Sequence, residues 1–100
     1  MATIGLTKIG TRKTLAPGET KTVRWNNPPW DTVLGYTAYP VPARPEGPHG
    51  ATFGQVEVTR VVVTWKRDNY DVDKKQVLID VHNPGEQATE FDLYESWIAD

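Results

Sequence analysis

The sequence predicts an all-β fold: a single antiparallel β-sandwich of six to eight strands. Three observations carry this. The run Val56-Glu57-Val58-Thr59-Arg60-Val61-Val62-Val63-Thr64-Trp65 holds the densest β-branched residues in the chain and neither Gly nor Pro. Such residues fit a pleated, half-buried surface. Short alternating segments recur elsewhere, divided by Pro, Gly and Asn turn chemistry. The chain of 100 residues also carries four Trp and four Tyr, a high aromatic load for one small core.

Taken in order, Ile4 and Leu6 alternate with Thr3, Gly5 and Thr7, a short strand suited to an edge. Thr11–Thr14 carries Arg12 and Lys13, basic residues that discourage edge pairing. Ala16-Pro17-Gly18-Glu19 matches a type II turn, because proline presets φ and glycine accepts positive φ. Thr20–Trp25 then alternates cleanly, with Val23 and Trp25 inward. Asn26-Asn27-Pro28-Pro29-Trp30-Asp31 reads as a stiff loop, since two prolines remove two donors and force extended geometry before them. Thr32–Tyr39 is the third strand, and Pro40 ends it or places it at an edge. Pro40–Gly54 reads as a long ordered loop with polyproline-like pieces. Loops of that length often serve function.

The Val56–Trp65 run is expected to be a central strand. Val56 and Val58 share one parity; Val61, Val63 and Trp65 share the other. One residue of offset turns every side chain over, so a β-bulge or burial on both faces is required near Thr59–Val61. Lys66–Lys75 is a charged connection. Gln76–His82 follows as a strand with Val77, Ile79 and Val81 inward, pairing with the valine run as a hairpin. Asn83-Pro84-Gly85-Glu86 is another turn. Ala88–Ile98 reads either as a strand, with Phe91, Leu93 and Trp97 on one face and Glu95 intruding, or as a helix with a Thr89/Asp92 capping box. The strand is preferred, because every preceding segment is β.

One hundred residues suit one domain, and a chain this size buries about two-thirds of its unfolded surface, enough for a core without staples. With no cysteine, disulfides and Cys–metal sites are excluded. The redox compartment is left open, and nothing assigns a localisation. Net charge is −2 with both signs interspersed. That pattern lacks the clustered cations of a nucleic-acid surface. The N-terminus lacks the pattern of a signal peptide. No stretch approaches the eighteen or so apolar residues of a membrane helix.

The phrase Val81-His82-Asn83-Pro84-Gly85-Glu86-Gln87-Ala88-Thr89-Glu90-Phe91-Asp92-Leu93-Tyr94 resembles a hairpin of bacterial immunoglobulin-like sandwich modules. Leu15-Ala16-Pro17-Gly18-Glu19-Thr20, followed by Val23 and Trp25, resembles an earlier turn and strand of the same modules. Together these stretches cover about a third of the chain. The resemblance implies an immunoglobulin-like outline. It carries over no site residue, because these modules share no active site, and the Cys–Trp–Cys arrangement of true immunoglobulin domains is absent.

The residues point away from catalysis. Ser96 is the only serine and sits in no Gly-x-Ser-x-Gly elbow. His49 falls in the Pro-rich loop and His82 at a strand end facing solvent or bonding the turn. No phosphate-binding glycine run exists. Asn69, Asp71 and Asp73 alternate as oxygen ligands of a calcium loop do, but Lys74 stands where the bend needs glycine. A solvated connection is the preferred reading, and no metal or cofactor is expected. Trp25, Trp65 and Trp97 lie in phase with apolar neighbours and are expected in the core. Trp30, Tyr39, Tyr70 and Tyr36 lie in or beside loops. Trp30 is flanked by Asn26, Asn27 and Asp31: a ring to stack on a sugar, with amides and an acid to bind hydroxyls. The alternative for Trp30 is a plug over the end of the core.

The leading expectation is therefore a non-enzymatic binding or adhesion module for carbohydrate, using Trp30, Asp31, Asn27, Tyr39 and Tyr70. The alternative is a structural or assembly module that contacts a protein partner, or further copies of itself, through an edge strand or the Pro-rich loop.

Overall fold

The computed structural model describes residues 2–26, 32–42, 48–67, 69–70 and 72–99. Six strands account for most of them: β1 (Thr3–Leu15), β2 (Thr20–Trp25), β3 (Thr32–Val41), β4 (Glu57–Arg67), β5 (Asp73–His82) and β6 (Thr89–Ala99). They form two antiparallel three-stranded sheets. One has the order β1-β6-β3, the other β2-β5-β4.

The core follows from alternation. On β5, Val77, Ile79 and Val81 are wholly buried. Val23 on β2 adds to them from the same sheet. Ile9, Leu15, Phe91 and Leu93 close the core from the opposite sheet. The segment expected over Ala88–Ile98 is a strand, β6 from Thr89 to Ala99, with Phe91, Leu93 and Glu95 buried on alternate positions. Gly5 lies opposite Trp97, whose ring occupies the space a Cβ at Gly5 would need. The indole Nε1–H reaches on to Thr7 Oγ1 at 2.8 Å.

One end of the sandwich is clasped by Asn83, which is completely buried. Its Nδ2 donates to the Gln87 carbonyl at 2.8 Å and the Leu15 carbonyl at 3.3 Å, and its Oδ1 accepts from Gly85 N at 2.8 Å. Its backbone N–H donates to Glu19 O, and its carbonyl accepts from Gly18 N. Asn83 thereby ties the β5–β6 turn to the β1–β2 turn, satisfying polar groups that burial would otherwise strand. The Ala16–Glu19 turn has the expected form: Gly18 has φ +76°, and Glu19 N donates to Ala16 O at 3.0 Å.

The molecule measures 56 × 32 × 19 Å with a radius of gyration of 16.2 Å. A compact domain of this length has about 13 Å. The sheets share their core near the Asn83 end and extend beyond it.

The valine-rich run departs from expectation. It is not a central strand: β5 is central, with β2 along its other side, and β4 is an edge. Sequential pairing of β4 with β5 was legible, but not the insertion of β2 from the far side. Trp65, expected in the core, is 55% exposed. Trp25 and Trp97 are half-buried. Tyr36 lies within β3, inside the strand expected over Thr32–Tyr39, and is half-buried rather than at a loop.

A candidate interaction edge

The phase slip in the valine run is resolved by a bulge between Val58 and Arg60. Val58 lies opposite Val81, and beyond the bulge Val61, Val63 and Trp65 lie opposite Ile79, Val77 and Lys75. All four β4 residues therefore share the face on which β5 builds the core. An extra residue in one strand restores a common face to two parities. Yet Val61, Val63 and Trp65 are 43%, 45% and 55% exposed, whereas Val77 and Ile79 beside them are wholly buried. Val58 still packs against the core, but the opposite sheet does not cover the outer strand along Val61–Trp65. Where Lys75 meets Trp65, the ammonium lies 5.6 Å from the ring centre, a cation–π contact.

The four sheet edges differ. β1 is interrupted between Ile9 and Lys13, with Gly10 at φ +64°. β2 has only six residues. β3 carries Pro40 and an irregularity between Val33 and Gly35. β4 runs from Arg60 to Arg67 in unbroken register with Asp80–Asp73, without proline or glycine. Among the described residues no strand pairs with its outer side. Long edges of this kind template pairing with another chain.

Two polar clusters lie on the β1-β6-β3 sheet. Toward the core, the Tyr36 hydroxyl donates to the buried Glu95 carboxylate. Burial, then this hydrogen bond, then the negative charge of Glu95 push the Tyr36 phenol well above its usual range. On the outer face, Arg12 grips Asp92 with Nε–Oδ1 at 3.1 Å and Nη2–Oδ2 at 3.0 Å. Lys8 Nζ lies 3.5 Å from Oδ1. The Arg12 hydrogen bonds hold the Asp92 carboxyl below the usual range, opposed by desolvation and helped by the charges of Arg12 and Lys8. Between β1 and β2 a groove is lined by Ile9, Thr11, Lys13, Val23 and Trp25. Among the described residues no acceptor reaches the buried Trp25 Nε1.

Of the residues expected to bind a ligand, Asn27, Trp30 and Asp31 lie outside the described residues. Tyr39 is on β3 as expected, but the strand runs on to Val41, and Tyr39 lies opposite Asp92 and is 61% exposed. Tyr70 is in the β4–β5 turn, 87% exposed. Tyr39 lies on the β1-β6-β3 sheet near the Asn83 end, and Tyr70 lies in the turn at the far end of the other sheet. His49 is exposed, and His82 shares a 2.9 Å hydrogen bond with Thr20 Oγ1. Of the calcium-like stretch, Asp68 and Asp71 lie outside the described residues, and Asp73 accepts from Arg67 Nε at 2.9 Å. Among the described residues no three His, Asp or Glu side chains gather as a metal site. No helix among them is long and apolar enough to cross a membrane.

The sequence signal for the β4 surface was the parity slip itself. It left a bulge or burial on both faces open; the bulge forms, and the exposure of the valines and Trp65 depends on how far the second sheet reaches. Compared with known proteins, the chain matches no family model, no curated protein and no solved structure.

Proposed function

We propose that the chain is a non-catalytic protein-interaction module that accepts an extended polypeptide segment along β4. The observation that carries this is the exposed row Val61, Val63 and Trp65 beside the one long uninterrupted edge among the described strands. Strand addition draws affinity from main-chain hydrogen bonds and specificity from alternate side chains, and β4 supplies both. Selection of displayed ten-residue peptides against the wild type and against Val63→Lys tests it. Support is recovery of alternating β-branched peptides by the wild type alone, with slowed amide exchange along Arg60–Arg67. Peptides that bind both proteins equally, or protect another strand, contradict it.

We read the fold as immunoglobulin-like in outline. The neighbours β2-β5-β4 and β3-β6 follow the B-E-D and C-F adjacencies of that sandwich, with β1 in the place of its last strand. This supports a binding role, since such sandwiches present strands and loops to partners.

A second reading, carbohydrate binding, is favoured by one observation. The Tyr39 ring is largely exposed opposite Asp92, which Arg12 and Lys8 accompany, a flat apolar face beside hydrogen-bonding groups. Titration of Trp fluorescence against a glycan panel, with Tyr39→Ala and Trp30→Ala as controls, tests it. No response to any glycan ends it.

A further inference from the structure

We infer that the occupant of the β4 edge is a second copy of this chain, paired antiparallel about a twofold axis at Val62. The inference rests on reading β4 as the interaction edge and names the partner.

A twofold axis requires the strand to complement its own reverse. Centred on Val62, Val61 of each copy lies opposite Val63 of the other, and Arg60 lies opposite Thr64. Beyond Arg60 the bulge adds one residue, so Val58 comes opposite Trp65 and Glu57 opposite Lys66. Every pair then matches in face. Val58, Val61, Val63 and Trp65 lie on the core side, where they partner Val81, Ile79, Val77 and Lys75 within their own copy. The three most exposed of them, Val61, Val63 and Trp65, meet valines across the axis.

Charge agrees with this register. Lys66 faces Lys74 within its own hairpin, a like-charge pair. Glu57 of the second copy sets an acid against that pair, and the twofold repeats the contact at the other end. A shift of two residues one way sets Arg60 against Lys66. The same shift the other way sets Glu57 against Thr64 and loses the ion pair. The paired edges join two three-stranded sheets into one continuous sheet. An interface built on one strand per copy falls at the small end of specific interfaces, so the association is reversible and concentration-dependent.

Sedimentation equilibrium across a wide concentration range tests this with the wild type, Glu57→Lys, Lys66→Glu and the double variant. Far-UV circular dichroism verifies that each is folded. The wild type is expected to dimerise. Each single variant should weaken the dimer about tenfold, because it sets like charges together at both ends. The double variant should recover most of the loss. A wild type that stays monomeric throughout, or a double variant no better than the singles, overturns the inference. If the protein is monomeric yet selected peptides still protect β4, the second copy is excluded as partner while the strand-accepting function stands. If peptides fail to protect β4 as well, both fall.

Discussion

The Lys75 ammonium on β5 lies 5.6 Å from the centre of the Trp65 ring on β4, and the two residues are register partners. Lys75 is only 6% exposed although Trp65 is more than half exposed. A buried cation needs compensation, and the ring supplies part of it. Trp65→Ala is expected to lower stability by about 1–2 kcal/mol, because a shielded cation–π contact is worth about that much. Urea unfolding measures this. Trp65→Phe should retain part of the loss, and a Trp65→Ala protein as stable as the wild type contradicts the contact.

Tyr36 and Glu95 form the polar intrusion in the core-side face of β6. Tyr36→Phe removes a donor from a buried carboxylate and should cost about 1–3 kcal/mol at neutral pH. The pH dependence has a definite sign. The folded Tyr36 pKa is raised, chiefly by burial and then by the Glu95 hydrogen bond. Its contribution is therefore full below the unfolded value near 10 and is lost as pH rises above it. Alkaline titration of stability should show this slope in the wild type and a shallower one in Tyr36→Phe. Parallel curves contradict it.

Asp92 behaves oppositely. Its pKa is lowered, first by the Arg12 hydrogen bonds. The contribution is present above the unfolded value near 4 and is lost as pH falls through the folded value. Arg12→Gln should lower stability throughout the range above that value and move the acid-unfolding midpoint to higher pH, with the slope of the alkaline limb unchanged. Coincident acid midpoints contradict the pairing.

Asn83 closes the end of the sandwich through three side-chain hydrogen bonds. Asn83→Ala leaves the Leu15 and Gln87 carbonyls and the Gly85 N–H without this partner, at a cost of about 2–4 kcal/mol. Asn83→Asp keeps the acceptor for Gly85 but turns carboxylate oxygen toward two carbonyls, so it should be no better. Thermal unfolding of the two variants measures this; a shift of less than about 2 °C for Asn83→Ala contradicts the clasp.

The sequence revealed local features more readily than long-range ones. Pro17-Gly18 stated its turn because φ preferences belong to single residues. The alternation of Val77, Ile79 and Val81 stated which face of β5 is buried. The slip near Thr59 left a bulge or burial on both faces open, and the chain forms the bulge. Layer order was hidden, because a valine-rich strand reads alike at a centre or an edge when the partner sheet stops short. Arg12 and Asp92 lie 80 positions apart. Their pairing depends on β1 lying beside β6 across the whole length of the chain. Glu95 was visible as an acid in phase with Phe91, Leu93 and Trp97, but Tyr36 as its donor was not.

Site-resolved hydrogen exchange across β4, followed as protein concentration is raised, tests the central claim most directly. If this edge is the binding surface, protection grows along Arg60–Arg67 with concentration or on adding a selected peptide, and the edges of β1, β2 and β3 stay as in dilute solution. Protection that appears on another edge, or a β4 that exchanges equally fast at every concentration and with every selected peptide, contradicts it.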